Sequence, residues 1–159
     1  MNEDDVIVGL ATPAGAAGIA VVRLSGADAL AVAARLVPAL SGEVPVRRLR
    51  LCRVLRPDGV LLDRAMVCFM AGPKSYTGED VVELQTHGGP ATVGAVLGAC
   101  QAAGARLAQP GEFTLRAFLN GRMDLAEAEA VGALVGAQSE RARRVALRQL
   151  HGGLGRALG

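Results

Sequence analysis

The sequence predicts an α+β fold, in which a mixed sheet with packed helices is followed by the start of a helical domain. Strand-like and helix-like stretches are interspersed along the first three quarters of the chain. Two of the strands are joined by a strong hairpin signal. From about residue 122 onward almost every stretch favours helix. We therefore predict two units, residues 1–121 and the truncated helical unit 122–159.

The first unit opens with β-like runs at 6–11 and 19–25, separated by the small-residue loop TPAGAAG. Ser25 and Asp28 form an S-x-x-D pattern that predicts a capped helix start, and that helix should end at Pro38. The run 48–56 alternates in hydrophobicity and should pair with 60–70 across the turn Pro-Asp-Gly at 57–59.

The remaining elements follow in the same way. A strand at 81–86 turns through Gly-Gly-Pro into a helix over 91–103, and a short strand at 106–108 precedes a helix over 112–120 that ends on Gly121. Asp124 and Glu127 predict a second capping arrangement, followed by one long helix to Gln149. Because a lone helix has no partner for its apolar face, we expect the chain to be part of a longer protein.

Composition narrows the range of functions. Seventeen basic and fifteen acidic residues leave a net charge of +2, and aromatic residues make up only 3%. Neither the charge nor the supply of aromatic rings indicates nucleic-acid binding. The three cysteines show no metal-ligand spacing, so we interpret them as buried small hydrophobes in a reducing compartment. The acidic N-terminus MNEDD and the Gly/Ala-rich stretch 87–105 predict neither an export signal nor a membrane span.

Two charged residues interrupt apolar strand patterns. Arg23 shares a strand face with Ile19 and Val21, and Glu83 shares one with Val81 and Gln85. Each could lie on a solvated sheet face or bind a ligand, Arg23 as a fork for an anion. An internal salt bridge between Arg23 and Glu83 would satisfy both residues without a ligand. The pattern leaves these alternatives open.

Other candidates carry weaker signals. The loop 11–18 matches no nucleotide-binding fingerprint, and the chain has no Walker A lysine, so we expect no GTP or ATP hydrolysis by it unaided. His87 should make a capping hydrogen bond or a minor ligand contact. Arg122 lies at a joint between helices and could be solvated surface. Three arginines form a stripe on one helical face, which could contact nucleic-acid phosphates or simply be solvated: Arg141, Arg144 and Arg148.

Three segments together resemble the N-terminal part of a known family. They are ATPAGAAGIAVVRLSG (11–26), SYTGEDVVELQTHGGP (75–90) and PGEFTLRAFLNGRMDLAEAEAV (110–131). In this order and spacing they are similar to the tRNA modification GTPases called MnmE or TrmE, and the similarity covers essentially the whole chain. The loop 13–18 lacks the arginine that the family's PPGRGG loop carries.

The resemblance implies a folate-binding and homodimerising N-terminal domain, followed by a helical domain with an inserted GTPase domain. It implies a cytoplasmic protein that works with the flavoprotein MnmG, in a heterotetramer, to form 5-carboxymethylaminomethyluridine at the wobble position of tRNA. GTP, K⁺ and Mg²⁺ would act only in the GTPase domain, whose motifs this chain lacks. No membrane association is implied, and no metal site or catalytic residue is expected within these 159 residues.

Carried over position by position, the family's contacts to 5-formyltetrahydrofolate fall on Arg23, Glu83 and Arg122. The resemblance implies that Glu83 accepts two parallel hydrogen bonds from the pterin edge and that the arginines meet carbonyl or anionic groups. A further family contact, a lysine near the C-terminus of the full-length proteins, has no counterpart in this sequence. The alternative is a dimerisation scaffold without a ligand. Binding of tRNA through the arginine stripe ranks last.

Overall fold

A six-stranded sheet forms the centre of the protein. The computed structural model describes residues 4–157, with side-chain surroundings up to residue 152. The strands lie in the order β3-β4-β5-β2-β1-β6, antiparallel except for the parallel pair β1–β6. Their bounds are β1 Ile7–Leu10, β2 Ala17–Ser25, β3 Arg50–Leu55, β4 Leu61–Met70, β5 Val81–Gly88 and β6 Arg106–Leu107. Together with five helices this is an α+β fold, as predicted.

One face of the sheet carries the hydrophobic core. Alternate residues of the two central strands are buried there, among them Val22 and Leu24 of β2 and Leu84 of β5. Helices α1 (Ala29–Ala34) and α2 (Pro90–Ala102) pack on this face, and Val96 of α2 is fully buried in the cluster. These buried strand residues lie on the strand faces opposite Arg23 and Glu83, as the period-two pattern of the sequence requires.

The opposite face of the sheet is largely uncovered by the described residues. Helix α3 (Glu112–Leu119) covers only the end near β1 and β2. The ring of Phe113 on α3 lies so close to β1 that a Cβ on Gly9 would be 3.0 Å from Cε2 of that ring. Away from α3, Ile19 and Leu51 have 62% and 66% of their surfaces exposed. We call this surface the open face.

Helix α1 differs from the prediction at both ends. It begins at Ala29, and Asp28 at its N-cap makes no side-chain capping bond. Ser25 is not part of a capping box either, because its hydroxyl donates to Glu79 Oε1 at 2.9 Å. The helix ends at Ala34, and Pro38 instead opens a short 3₁₀ turn, Pro38–Leu40. The S-x-x-D pattern was thus a false capping signal, since a stronger charged acceptor takes the serine hydroxyl.

The predicted β3–β4 hairpin is present. Gly59 has φ of 87°, which a residue with a side chain rarely adopts, and Arg56 N donates to Val60 O at 2.9 Å across the turn. Asp58 holds the turn further by accepting from Val60 N at 3.2 Å. The hairpin places β3 at an edge of the sheet.

The single long helix predicted after residue 124 is wrong, because two helices form there. They are α4 (Leu125–Gly136) and α5 (Glu140–Ala157), and they pack against each other. Ala137 adopts an extended conformation and ends α4, while Ser139 Oγ accepts from Ala142 N at 3.1 Å and caps α5. The two helices bury Ala130 and Ala146. The apolar face of α5 therefore has a partner within the chain.

The capping box at the start of α4 is confirmed. Asp124 Oδ1 accepts from Glu127 N at 2.8 Å, and Asp124 N donates to Glu127 Oε1 at 3.4 Å. We expect Asp124→Ala to lower the free energy of unfolding of the helical hairpin by about 1 kcal/mol, since it leaves an amide of the first turn unpaired. Hydrogen exchange at the first turn of α4 would measure this. Glu129→Ala on the same helix is the control and should leave that exchange unchanged.

The described residues contain neither a membrane-spanning helix nor a cluster of metal ligands. None of the helices there is long and apolar enough to cross a membrane. No three histidine, cysteine, aspartate or glutamate side chains lie close enough in that part of the chain to hold a metal ion. The predicted boundary at residue 122 falls between α3 and α4 and stays a prediction.

Candidate ligand-binding site

Arg23 and Glu83 lie directly opposite each other on the two central strands. The antiparallel register of β2 and β5 pairs them, and both project from the open face. Arg23 Nη2 is 3.6 Å from Glu83 Oε1, with side chains 22% and 25% exposed. The internal ion pair, one of the alternatives that the sequence left open, therefore forms. At this separation it is an electrostatic contact without a hydrogen bond.

Two aromatic rings flank the guanidinium of Arg23. The rings of Tyr76 and Phe113 have their centroids 5.2 and 5.3 Å from its Cζ. Both separations allow favourable cation–π attraction. Tyr76 comes from the loop between β4 and β5, and its hydroxyl is 2.7 Å from Thr114 Oγ1 on α3. Loop and helix are thereby joined around one arginine, which restricts its orientation.

The flanked arginine has an unsatisfied donor. Arg23 Nε is the one buried side-chain nitrogen or oxygen within residues 4–152 that has no hydrogen-bond partner. Neither carboxylate oxygen of Glu83 receives a hydrogen bond from any described residue. A buried donor without a partner costs about 1–3 kcal/mol. An oriented donor beside an acceptor with unused lone pairs is the arrangement that a polar ligand can satisfy.

Arg122 lies beside the loop that carries Tyr76 and makes no contact with this pair. Its backbone amide follows α3 and donates to Ala117 O at 2.8 Å. Its aliphatic stem lies over the same loop as Tyr76, with Cγ 3.2 Å from the position that a Cβ on Gly78 would take. Within the described part of the chain the guanidinium forms no hydrogen bond or ion pair. The structure thus brings two of the three predicted residues together and leaves the third exposed at the neighbouring loop.

A buried charge cluster lies behind the site, and sequence reasoning missed it. Glu112 is 2% exposed and Arg116 is 4% exposed. Arg106 donates to both oxygens of Glu112, at 3.0 and 2.7 Å, and Arg116 Nη2 lies 3.8 Å from Glu112 Oε2. The only signal in the sequence was the i, i+4 spacing of Glu112 and Arg116, which is equally typical of exposed helix pairs.

The cluster connects α3 to the loop that carries Tyr76. Arg116 Nη1 lies 3.1 Å from both carboxylate oxygens of Glu79 and donates to Asp5 O at 2.7 Å. Glu79 in turn accepts from Ser25 Oγ, two residues after Arg23 on β2. The charge-assisted bonds therefore hold loop, helix and strand in the geometry that surrounds Arg23.

The cluster also alters the acidity of Glu112. Hydrogen bonds from Arg106, opposed by burial and reinforced by the amide of Gln109, hold the pKa of Glu112 below its ordinary value. A depressed carboxyl pKa means that the unfolded chain binds more protons than the folded one. The stability that Glu112 contributes in this way is complete at pH values above its pKa in the unfolded chain. It is lost as the pH falls through its lower pKa in the folded chain.

One cysteine departs from the prediction that all three are buried. Cys52 and Cys100 are buried, and burial raises the pKa of the Cys100 thiol to about 12. Cys68 is only partly buried, and it lies directly opposite Glu83 in the register of β4 and β5, on the open face. Desolvation and the neighbouring Glu83 charge raise its pKa, so it is a poor nucleophile. It borders the site as a neutral side chain.

Three weaker candidates from the sequence make local structural contacts. His87 Nδ1 is 2.8 Å from Asp63 Oδ1, and His87 N donates to Asp63 Oδ2 at 2.8 Å, so the histidine ties β5 to β4. The small-residue loop before β2 leads into a strand, as predicted, and Thr12 Oγ1 accepts from Val21 N at 3.1 Å. Of the arginine stripe on α5, Arg144 lies 3.1 Å from Glu140 Oε1, which partly offsets its charge.

Comparison with known proteins identifies the family. Residues 6–122 match the family model described as GTP-binding protein TrmE N-terminus. The tRNA modification GTPase MnmE of Halorhodospira halophila is 53% identical over 156 residues, covering 97% of this chain and 32% of that protein. Those of Nitrosospira multiformis and Thermus thermophilus are 47% and 50% identical, over 99% of this chain and 34% and 37% of their own lengths.

The chain thus spans about a third of the length of the curated relatives that it matches. The family model alone covers well over half of the chain, and it ends at Arg122, the last of the three candidate site residues. The identities extend beyond that model into the helical hairpin of α4 and α5. The chain therefore belongs to the MnmE (TrmE) family and corresponds to its N-terminal domain.

Proposed function

We propose that this chain is the folate-binding and dimerisation region of a tRNA modification GTPase. In the whole protein, GTP, K⁺ and Mg²⁺ would act in a separate GTPase domain, and the protein would modify the wobble uridine of tRNA in the cytoplasm together with MnmG. The names of the relatives support the tRNA-modifying GTPase. The absence of a Walker A motif from the sequence agrees with a binding role for this part.

The observation that carries the folate proposal is the incompletely satisfied Arg23–Glu83 pair. The two groups are 3.6 Å apart, neither carboxylate oxygen of Glu83 receives a hydrogen bond from a described residue, and Arg23 Nε is unsatisfied. A 2-amino-4-oxopterin presents two adjacent N–H donors, which a carboxylate can accept in parallel. Its carbonyl oxygen is an acceptor for a guanidinium. A reduced folate such as 5-formyltetrahydrofolate thus supplies what both residues lack.

The residues of this chain bind and orient the ligand in this proposal. Glu83 holds the pterin edge, and Arg23, fixed between Tyr76 and Phe113, donates to an electron-rich atom of the ligand. Arg122, exposed beside Gly78, is free to turn toward a carbonyl or carboxylate. The bound folate supplies the one-carbon unit, and none of the three residues acts as a nucleophile.

Calorimetric titration of the 159-residue chain with 5-formyltetrahydrofolate tests the proposal. We expect saturable binding with one ligand per chain, by a protein that sediments as a dimer. A folded dimer that gives no heat of binding in the titration and retains no ligand in equilibrium dialysis would contradict the folate assignment. The dimer itself would then remain as the second candidate, a scaffold whose Arg23–Glu83 ion pair is purely internal. That scaffold predicts sedimentation unaffected by folate or by changes at either residue.

A further inference from the structure

The open face arranges its side chains in rows that cross the strands. The first row joins Arg23, Glu83 and Cys68, which lie opposite one another on β2, β5 and β4. Two residues along the strands, a second row joins Val21, Gln85, Met66 and Leu51. A third row contains two directly opposed pairs, Ile19 with His87 and Arg64 with Arg53.

The second row forms the floor of a groove. Leu51, Met66 and Gln85 line it together with Ile19, His87 and Arg64 of the third row. Leu51 and Ile19 are large apolar side chains with most of their surface exposed. An exposed apolar groove that ends in positive charge suits an elongated ligand with an apolar middle and an anionic end.

The third row concentrates positive charge. Arg53 and Arg64 face each other directly on β3 and β4, both exposed, and neither guanidinium has a hydrogen bond or ion pair among residues 4–152. Like charges directly opposite on paired strands are destabilising. The surrounding stretch 47–64 contains six arginines and two aspartates. Asp58 pairs with Arg56, and Asp63 accepts from the backbone amides of Arg64 and His87, so neither forms an ion pair with the guanidinium of Arg53 or Arg64.

The rows match the parts of a folate in order and separation. Glu83 and His87 are four residues apart on β5, which separates the first and third rows by about 13 Å. A folate carries its pterin, its aminobenzoyl ring and its glutamate carboxylates in the same order over a comparable length. The pterin would lie at the first row and the apolar ring on the second. The negatively charged glutamate end would then lie at the arginines of the third row.

We propose that Arg64 and Arg53 form a subsite for the glutamate tail of the folate, so that the chain prefers folates with one or more γ-linked glutamates. This rests on the proposed folate function, since it places the pterin at Glu83. His87, held by Asp63, borders the subsite. Each further glutamate adds a carboxylate within reach of the stretch 47–64, in which six arginines outnumber two aspartates.

The test compares three ligands on the 159-residue chain: 5-formyltetrahydropteroate, which lacks glutamate, and the mono- and triglutamate forms of 5-formyltetrahydrofolate. We expect the triglutamate to bind about tenfold or more tightly than the pteroate, the equivalent of about 1.4 kcal/mol. The double variant Arg53→Gln/Arg64→Gln should remove most of this preference and leave the pteroate affinity unchanged. Arg56→Gln, on the same hairpin but paired with Asp58, is the matched control and should keep the preference.

The outcomes separate this subsite from the folate function. Equal binding of pteroate and triglutamate by the unaltered chain would overturn the subsite and leave the folate function standing. Binding of tri-γ-glutamate alone, without any affinity for the pteroate, would contradict the folate function while supporting the anion subsite. If no ligand binds, both proposals fail. Displacement of the triglutamate by a short RNA, abolished by the same double variant, would assign the arginines to a nucleic-acid backbone and overturn the proposal.

Discussion

Replacing Glu112 by alanine is expected to lower the free energy of unfolding by about 3–5 kcal/mol, the cost of breaking a buried ion pair by removing one partner. The carboxylate is 2% exposed and accepts two hydrogen bonds from Arg106 and one from Gln109 N. Its loss leaves Arg116, 4% exposed, with less opposing charge. Because domains are stable by only about 5–15 kcal/mol, this change removes much of the total. Urea unfolding followed by circular dichroism measures it.

Two comparisons make this result specific to the buried cluster. Glu140→Ala removes a carboxylate that also pairs with two arginines, but on the exposed surface of α5, and it should change stability little. The second comparison is pH. The unaltered chain should lose stability as pH falls below about 4.3, where an ordinary glutamate begins to take up protons, and the Glu112→Ala chain should lose less over that range. Equal losses would show that Glu112 is not held deprotonated by folding.

Replacing Glu83 by glutamine is expected to weaken 5-formyltetrahydrofolate binding by about 1.5–3 kcal/mol, the usual scale of hydrogen bonds to a charged group. This corresponds to roughly 10- to 150-fold in the dissociation constant. An amide of the same shape presents one acceptor and one donor, so its donor opposes an N–H of the pterin edge. The fold should persist, since the Arg23–Glu83 contact is 3.6 Å long and only partly buried. Calorimetry and circular dichroism measure the two quantities.

Glu129→Gln makes the same chemical change on the exposed side of α4, away from the sheet, and should not alter affinity. The double variant with Arg23→Gln distinguishes a ligand site from an internal pair. If both residues contact the ligand, each single variant weakens binding. If they serve only each other, the effects appear in unfolding free energies, where the two changes are coupled, and the folate affinity stays the same. An unchanged affinity for Glu83→Gln removes this residue from the site.

Local patterns predicted most of the secondary structure, because strand and helix periods and turn residues act over a few positions. The hairpin at Pro57-Asp58-Gly59, the turn into α2 and the capping box at Asp124 were all recognisable in this way. The errors came where a distant residue competed. Ser25 donates to Glu79, more than fifty positions away, instead of capping α1. The break between α4 and α5 brings two apolar helix faces together, an outcome that a helix-favouring composition does not reveal.

The sequence by itself determined the α+β class, the strand faces and, through three matching segments, the family. It also placed Arg23 and Glu83 on faces opposite the core residues, since a strand alternates with period two. That alternation does not reveal which strands are neighbours, in what register, or whether a helix covers the second face. Only the tertiary structure set Arg23 against Glu83 and between two rings, buried Glu112 with Arg116, and left the open face uncovered with its paired arginines. These are contacts between residues far apart in the chain, which depend on packing over the whole domain.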